Sequence, residues 1–471
     1  MNRSGRGAGS RDIAAPFQWV KSLGPEGKVV LLLFVLSVLR GVLYAIITPP
    51  FSAPDEKGHY DYLASLLQGA GDLIQGKERR QPPLYYLLSL PVFAAFAGKT
   101  SDVEIYALAA SHVSLFSLLA VRVFSAMMVA ATVPIAYWTA SSLRPGDRFV
   151  RLGATTFVAL VPAYGWIGAS VNNDNLATLL ASLLILTVVR GTARSYSRKM
   201  AVVVIALSIA GIATKPTTLP IIAIALLSLA ADAVGRRFTQ RQFTAGAMLG
   251  VVLALALLAS PAREPIFAPL ERIMGRNFTL DFLLPSRVET FAASLSAWGF
   301  VYQFKTFWGS FSNDSILMPG FVYWGLLAVS AASVLGLLLR LKMWVSPRRA
   351  PCEESPTRRA LSISPILILV IAVVLEWGIS FSRFYNNQSL RLNPPVGGWD
   401  ADFALLQGRF LFPAMIPIAF LFAWGLRAVL PAKVAKRGVW VLAGLLIAVD
   451  WIALITLASQ GHAWQIQGNM G

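Results

Sequence analysis

Long apolar runs separated by short polar stretches recur along the whole chain. A helix crosses a hydrocarbon core of roughly 30 Å with about 20 predominantly apolar residues. Such windows fall at about eleven places: residues 29–48, 122–142, 152–170, 175–190, 200–214, 217–231, 244–260, 317–339, 361–381, 409–430 and 439–459. The short alternating segments of a membrane barrel are absent from this pattern. The reading is all-α: a polytopic membrane protein with about eleven transmembrane helices. The first run, "VVLLLFVLSVLRGVLYAIIT", follows a polar, Arg-containing leader with no small-residue cleavage pattern after it, so it is expected to be a retained helix.

The polar stretches divide into two kinds. Arg144, Arg148 and Arg151; Arg190, Arg194, Arg198 and Lys199; Arg236, Arg237 and Arg241; Arg340, Lys342, Arg348, Arg349, Arg358 and Arg359; and Lys433, Lys436 and Arg437 fall in alternate loops. The positive-inside rule makes these loops, with the N-terminal leader, cytoplasmic. Most acids then lie on the outer side, as do three long loops at about 49–121, 261–316 and 382–408. Within the first outer loop, "YDYLASLLQGAG" and "LYYLLSLPVFAAFAG" are too short to span and read as interfacial helices. The expected organisation is a disordered cytoplasmic leader (1–28), one transmembrane domain (29–460) and an outer tail (461–471).

Composition agrees with this picture. Of 471 residues, 56% are hydrophobic and only 14% charged, against about 25% charged in soluble domains. The net charge of +18 would point to nucleic acid in a soluble chain. Here it belongs to cytoplasmic loops and anionic membrane lipids, and no nucleic-acid partner is expected. The single cysteine, Cys352, cannot form an internal disulfide.

Candidate chemistry concentrates on the outer side. In "TPPFSAPDEKGHYDY", Asp55 is placed to cap a helix and His59, four residues on, to share its face. A carboxylate beside an imidazole serves as a general base or holds a metal, so Asp55, Glu56, His59 and Asp61 form a possible divalent-ion ligand set, although no cofactor is certain. "ERRQPPLYY" adds Gln81 and an aromatic surface at Tyr85 and Tyr86 near the headgroups. "SVNNDNLAT" adds Asn172 and Asp174 at a helix junction, and Lys215 sits between two apolar runs. Lys305 lies among aromatics in "YQFKTFWGSFSND", and Gln407 and Arg409 open an apolar run in "DFALLQGRFLFP". An Arg entering such a run needs a partner or a task. Together these carboxylates, amides and cations suit a phosphate joined to a polyhydroxylated group.

"PPFSAPDEKGHY", "QPPLYYLLSLP", "VNNDNLA", "FWGSF" and "QGRFLFP", in that order, resemble a bacterial family of membrane proteins known as a domain of unknown function. That family is similar to the GT-C superfamily of membrane glycosyltransferases, and the resemblance covers about residues 30–430. It implies a polyprenyl-phosphate sugar as donor, a glycan, lipid or protein acceptor, and transfer on the outer face of the cytoplasmic membrane. The superfamily's acid pair matches Asp55 and Glu56, with Asp55 as the group that activates or orients the acceptor. Relatives often carry His before the paired prolines, where this chain has Gln81, which cannot accept a proton. Apart from the resemblance, Asp55 is the expected base, and Arg409, Lys215 and then Lys305 the phosphate partners. The competing readings are a transporter or flippase, and a non-catalytic binder, of polyprenyl-linked glycolipids. The obvious intramembrane charges, Arg40 and Asp450, make no transport pathway, and the chain shows no inverted repeat.

Overall fold

The computed structural model describes residues 23–68, 81–97, 115–235, 297–312, 315–345, 365–386 and 407–468. The expected span at 244–260, Cys352 and most of the second and third outer loops lie outside these residues.

The chain is an all-α, multi-pass membrane protein. Helix α1 (Pro25–Ile47) is followed by two short helices of the first outer loop, α2 (Glu56–Leu67) and α3 (Leu84–Ala97). The body comprises α4 (Leu115–Ala130), α5 (Thr132–Leu143), α6 (Arg148–Leu160), α7 (Pro162–Gly168), α8 (Asp174–Arg194), α9 (Arg198–Ile212) and α10 (Leu219–Gly235). After the gap come α11 (Ala297–Gly309), α12 (Gly320–Val345), α13 (Pro365–Asn386), α14 (Met415–Val429) and α15 (Ala432–Gly468). A two-residue antiparallel ladder, β1 (Ser310–Phe311) with β2 (Ile316–Leu317), pairs Phe311 with Ile316.

Among the described residues, seven helices are long and apolar enough to cross a membrane, and α6 and α7, which meet at a 53° bend, count as an eighth when taken together as one broken span. Two other expected spans are shorter: α9 has 15 residues, and the apolar part of α13 is Pro365–Gly378. Helix α11 was not expected, because Gln303, Lys305 and Thr306 interrupt its apolar run. It packs beside the 3-10 turn Gly408–Ala414 at the start of α14.

Helices α6, α8 and α14 form the interior, while Leu32, Leu39 and Ile46 of α1 and Val441 and Ile455 of α15 face outward. With lipid outside, the helices gain little from the hydrophobic effect and rely on close packing. The α12–α14 crossing shows this: a Cβ on Gly336 would run into the Gly425 carbonyl, and one on Gly425 into Ser333.

The α6–α7 bend has its own chemistry. Pro162 cannot continue the hydrogen-bond ladder, and the break leaves carbonyls of α6 without helical donors. Arg40 of α1 donates to the carbonyls of Ala159 and Val161 and to both carboxylate oxygens of Asp450, which also accepts from the Tyr44 hydroxyl at 2.9 Å. Gly165 leaves room for that guanidinium, since a Cβ there would collide with it. The two intramembrane charges thus close on one another and on a helix end.

The bundle's ends differ. Glu26, at the start of α1, accepts from Arg151 at 2.6 Å, and Asp147 pairs with Arg427 at 3.2 Å. The 23 residues of α1 rise about 35 Å and put this basic end far from the loop that follows Ile47.

Gly336→Ala is expected to lower the thermal unfolding midpoint by several degrees, matching about 1–3 kcal/mol of overpacking. Gly444→Ala, whose added methyl meets nothing within 4 Å, is expected to leave it unchanged or slightly raised. Equal effects would contradict the close crossing.

Candidate active site

Loop 48–55 leaves α1, and Phe51 and Asp55 both adopt left-handed backbone conformations, with φ of 61° and 63°. That geometry is uncommon outside glycine and is held by what surrounds it. The holding group is Glu56, which is fully buried. Its Oε1 accepts from Arg122 Nε at 2.8 Å and the Val171 N–H at 3.0 Å; Oε2 accepts from Arg122 Nη2 at 2.6 Å and the Phe51 N–H at 3.0 Å. Arg122 also donates to the carbonyls of Ala45, Thr48 and Pro49 at 2.7–3.0 Å, so all five of its N–H donors are engaged. Ala45 lies in the last turn of α1, where carbonyls lack helical donors, and Thr48 and Pro49 follow it directly. The structure therefore splits the acid pair: Glu56 points inward as a strut.

Asp55 points the other way. It occupies the N-cap position of α2, yet its side chain makes no capping bond, contrary to the sequence expectation. The carboxylate instead accepts from Arg409 Nη2 at 2.7 Å, and Arg409 Nη1 reaches the Pro54 carbonyl at 3.5 Å. The long-range ion pair with Arg409 thus stands where a local cap was expected. Asp55 remains 48% exposed while Arg409 is 9% exposed. Burial pushes the carboxyl up, but Arg409 and then Lys215 outweigh it and hold Asp55 well below the usual carboxylate range.

Around Asp55 the chain gathers the other outer-loop candidates. Asp174, the first residue of α8, pairs with Lys215 at 2.8 Å, both nearly buried. Asn172 Oδ1 accepts from the Asp174 N–H at 2.9 Å, and Asn172 Nδ2 reaches the Pro54 carbonyl at 3.4 Å. Asn173 donates to Gln81 Oε1 at 3.1 Å and to the Thr214 carbonyl at 3.3 Å, joining the segment before α3 to the α8 junction and the loop of Lys215. Gln407 is buried beside the turn carrying Arg409, where the Gly408 N–H donates to Thr306 of α11 at 2.8 Å. Lys305 faces the ring of Tyr323 at 5.5 Å.

His59 is buried, and its Nδ1 lies 2.7 Å from the Tyr86 hydroxyl. Desolvation, then Lys215, pushes the imidazole down to about 3, so it is neutral at physiological pH. Tyr86 stacks on Tyr62 at 3.8 Å, and Tyr85 bonds Ser125 at 2.8 Å while accepting from the Asn172 N–H. Both tyrosines are fully buried, which corrects the expectation of an aromatic surface near the headgroups. Their hydroxyls have partners inside the cluster, and those partners hold the rings in.

Among the described residues no group of three His, Cys, Asp or Glu side chains could hold a metal ion. Asp61 is taken by Lys57 at 2.6 Å and Glu56 by Arg122, so the proposed set of Asp55, Glu56, His59 and Asp61 does not converge. That set of four does not fit a resident divalent ion. Arg122 escaped the sequence reading, although an arginine inside "LFSLLAVRVFSAMMVA" was a signal that a buried partner was needed.

The fold and site thus define a helical membrane protein with a buried polar cluster at one end of its bundle. Two solved structures of the Archaeoglobus fulgidus oligosaccharyltransferase are similar to the chain. One is tethered to an acceptor peptide containing the NVT sequon through a disulfide, with 10% identity, 91% of this chain covered and a TM-score of 0.45. The other is a complex with zinc and sulfate, with 12% identity, 90% covered and a TM-score of 0.40. The chain spans about half the length of these structures, 55% and 53%. No family model and no curated protein matches the chain.

Glu56→Gln breaks a buried pair and is expected to cost about 3–5 kcal/mol, seen as a large drop in the unfolding midpoint; a near-normal midpoint would exclude the strut. As pH falls below about 6.5, unfolded His59 takes up a proton that folded His59 refuses until about 3. Stability is therefore expected to fall across that window, by up to about 1.4 kcal/mol per pH unit for this one proton. His59→Gln should flatten that slope in pH-dependent unfolding, and an unchanged slope would assign it to other groups.

Proposed function

We propose that the chain is a membrane glycosyltransferase that moves a sugar from a polyprenyl-phosphate carrier to a hydroxyl of a glycan, lipid or protein acceptor. The basic end of the bundle is assigned to the cytoplasm and the Asp55 cluster to the outer face of the cytoplasmic membrane. The observation that carries the reading is the half-exposed Asp55 carboxylate beside two buried cations, Arg409 and Lys215, at the rim of the polar cluster.

In this reading the Asp55 carboxylate takes the acceptor hydroxyl proton as the acceptor oxygen bonds to the anomeric carbon. The bond from that carbon to the phosphate oxygen breaks, and polyprenyl phosphate departs carrying the electron pair. Single displacement inverts the anomeric centre. Arg409 and Lys215 stabilise the charge on the leaving phosphate. Paired to Arg409, Asp55 is a weak base. When the donor phosphate draws Arg409 toward itself, the carboxylate loses its strongest counter-charge and becomes more basic, so donor binding arms the base. Gln81, which is only part-buried, supplies hydrogen bonds that suit sugar hydroxyls, and the buried Asn172 holds Pro54 and Asp174 in place. Glu56 positions Asp55 and takes no part in proton transfer.

The test uses the purified full chain in proteoliposomes, labelled polyprenyl-phosphate sugars and membrane-extracted acceptors. Asp55→Asn is expected to slow transfer by about 10²–10⁴-fold with donor binding retained, and Arg409→Gln to weaken both. Full activity in Asp55→Asn would remove the base. Label crossing the bilayer without transfer would instead favour the flippase reading.

A further inference from the structure

At the opposite end of the bundle, three spans finish together: Leu115–Leu143, Gly320–Arg340 and Gly408–Val429. Arg144 follows the first, Arg340 ends the second, and Trp424 lies in the last turns of the third. The Arg144 guanidinium sits 5.2 Å from the Trp424 ring centre and that of Arg340 4.8 Å from it. Two cations sharing one indole repel each other, and the ring's quadrupole offsets only part of that.

The nearby acids are committed elsewhere. Glu26 takes Arg151 at 2.6 Å with Arg148 at 3.8 Å, and Asp147 takes Arg427 at 3.2 Å and the Val150 N–H. The buried Nε of Arg144, Nε of Arg340 and Nε1 of Trp424 have no hydrogen-bond acceptor among the described residues. Native proteins rarely leave one such donor unmatched, and here three gather at one ring. Arg144 and Arg340 are only part-buried, so each guanidinium stays reachable from the bundle's end.

We propose that Arg144, Arg340 and Trp424 form a binding site for a phosphoryl anion, filled in the membrane by the headgroup of an anionic phospholipid. A phosphate brings several acceptor oxygens and negative charge, of which Asp147, already held by Arg427, supplies only part to Arg340, and arginine's planar fork matches it. Three apolar spans ending here set the depth to that of the headgroups, where tryptophan also settles. The site is far from Asp55 and independent of the proposed transfer reaction.

The full chain would be placed in nanodiscs of phosphatidylcholine with or without phosphatidylglycerol, and bound lipid read by native mass spectrometry and thermal unfolding. The parent is expected to retain phosphatidylglycerol and gain thermal stability from it. Arg144→Gln/Arg340→Gln should bind it at least about tenfold more weakly and lose the gain. Arg144→Lys, which keeps the charge but loses the fork, should fall between and serves if the double variant does not fold. Inorganic phosphate at matched ionic strength forms a separate arm: stabilisation by it in the absence of phosphatidylglycerol would support the anion site but assign it to a soluble phosphate. An unchanged lipid response in the double variant would overturn the proposal. So would a parent indifferent to both anions.

Discussion

The buried pair of Glu56 and Arg122 is the constraint on which the Asp55 end of the bundle depends. A charge removed from water and lipid alike is tolerable only when every hydrogen-bonding position is met. Here five donors and four accepted bonds close on one another, on the carbonyls ending α1, on the left-handed turn at Phe51 and on the entry to α8 at Val171. One ion pair thereby sets three segments that are distant in sequence. Because Asp55 precedes Glu56, anchoring one carboxylate inward leaves its neighbour turned toward the rim. The buried strut and its half-exposed neighbour are adjacent residues with opposite environments.

The same device recurs. Arg40 satisfies carbonyls where α6 breaks at Val161, with Asp450 as its counter-ion, and Arg409 reaches the Pro54 carbonyl while holding Asp55. In each case an arginine meets a place where regular backbone pairing stops inside a medium with no water to replace it. Arginine suits the task because one rigid fork serves a carboxylate and carbonyls together. Helix ends and bends within the protein are thus fixed by side chains drawn from other helices.

Much of this was legible in the sequence, and the rest has physical reasons for being hidden. Apolar windows located the described spans because length and hydrophobicity are local properties. The gathering of Asp55, Gln81, Asn172, Asp174, Lys215 and Arg409 followed from their shared side of the membrane. The roles within that set did not, since they depend on long-range pairs: Asp55 trades its local cap for Arg409, and Glu56 is consumed by Arg122. Tyr85 and Tyr86 read as interfacial because tyrosine is amphipathic, but Asn172, Ser125 and His59 give their polar atoms partners in the interior. Helix α11 was hidden by polar residues that face Gly408 and Ser380 rather than lipid.

The two ends of the bundle impose different demands on an incoming anion. At the Asp55 end, Arg409 and Lys215 already hold carboxylates, so an anion must displace an existing ion pair in a site that burial has made strongly electrostatic. Charge alone gains little there, because one ion pair is exchanged for another. A ligand succeeds by adding what Asp55 and Asp174 do not supply, such as hydroxyls for Gln81 or a chain held in the bilayer. At the Trp424 end the cations have no described carboxylate to surrender, and any suitably placed phosphate relieves their repulsion.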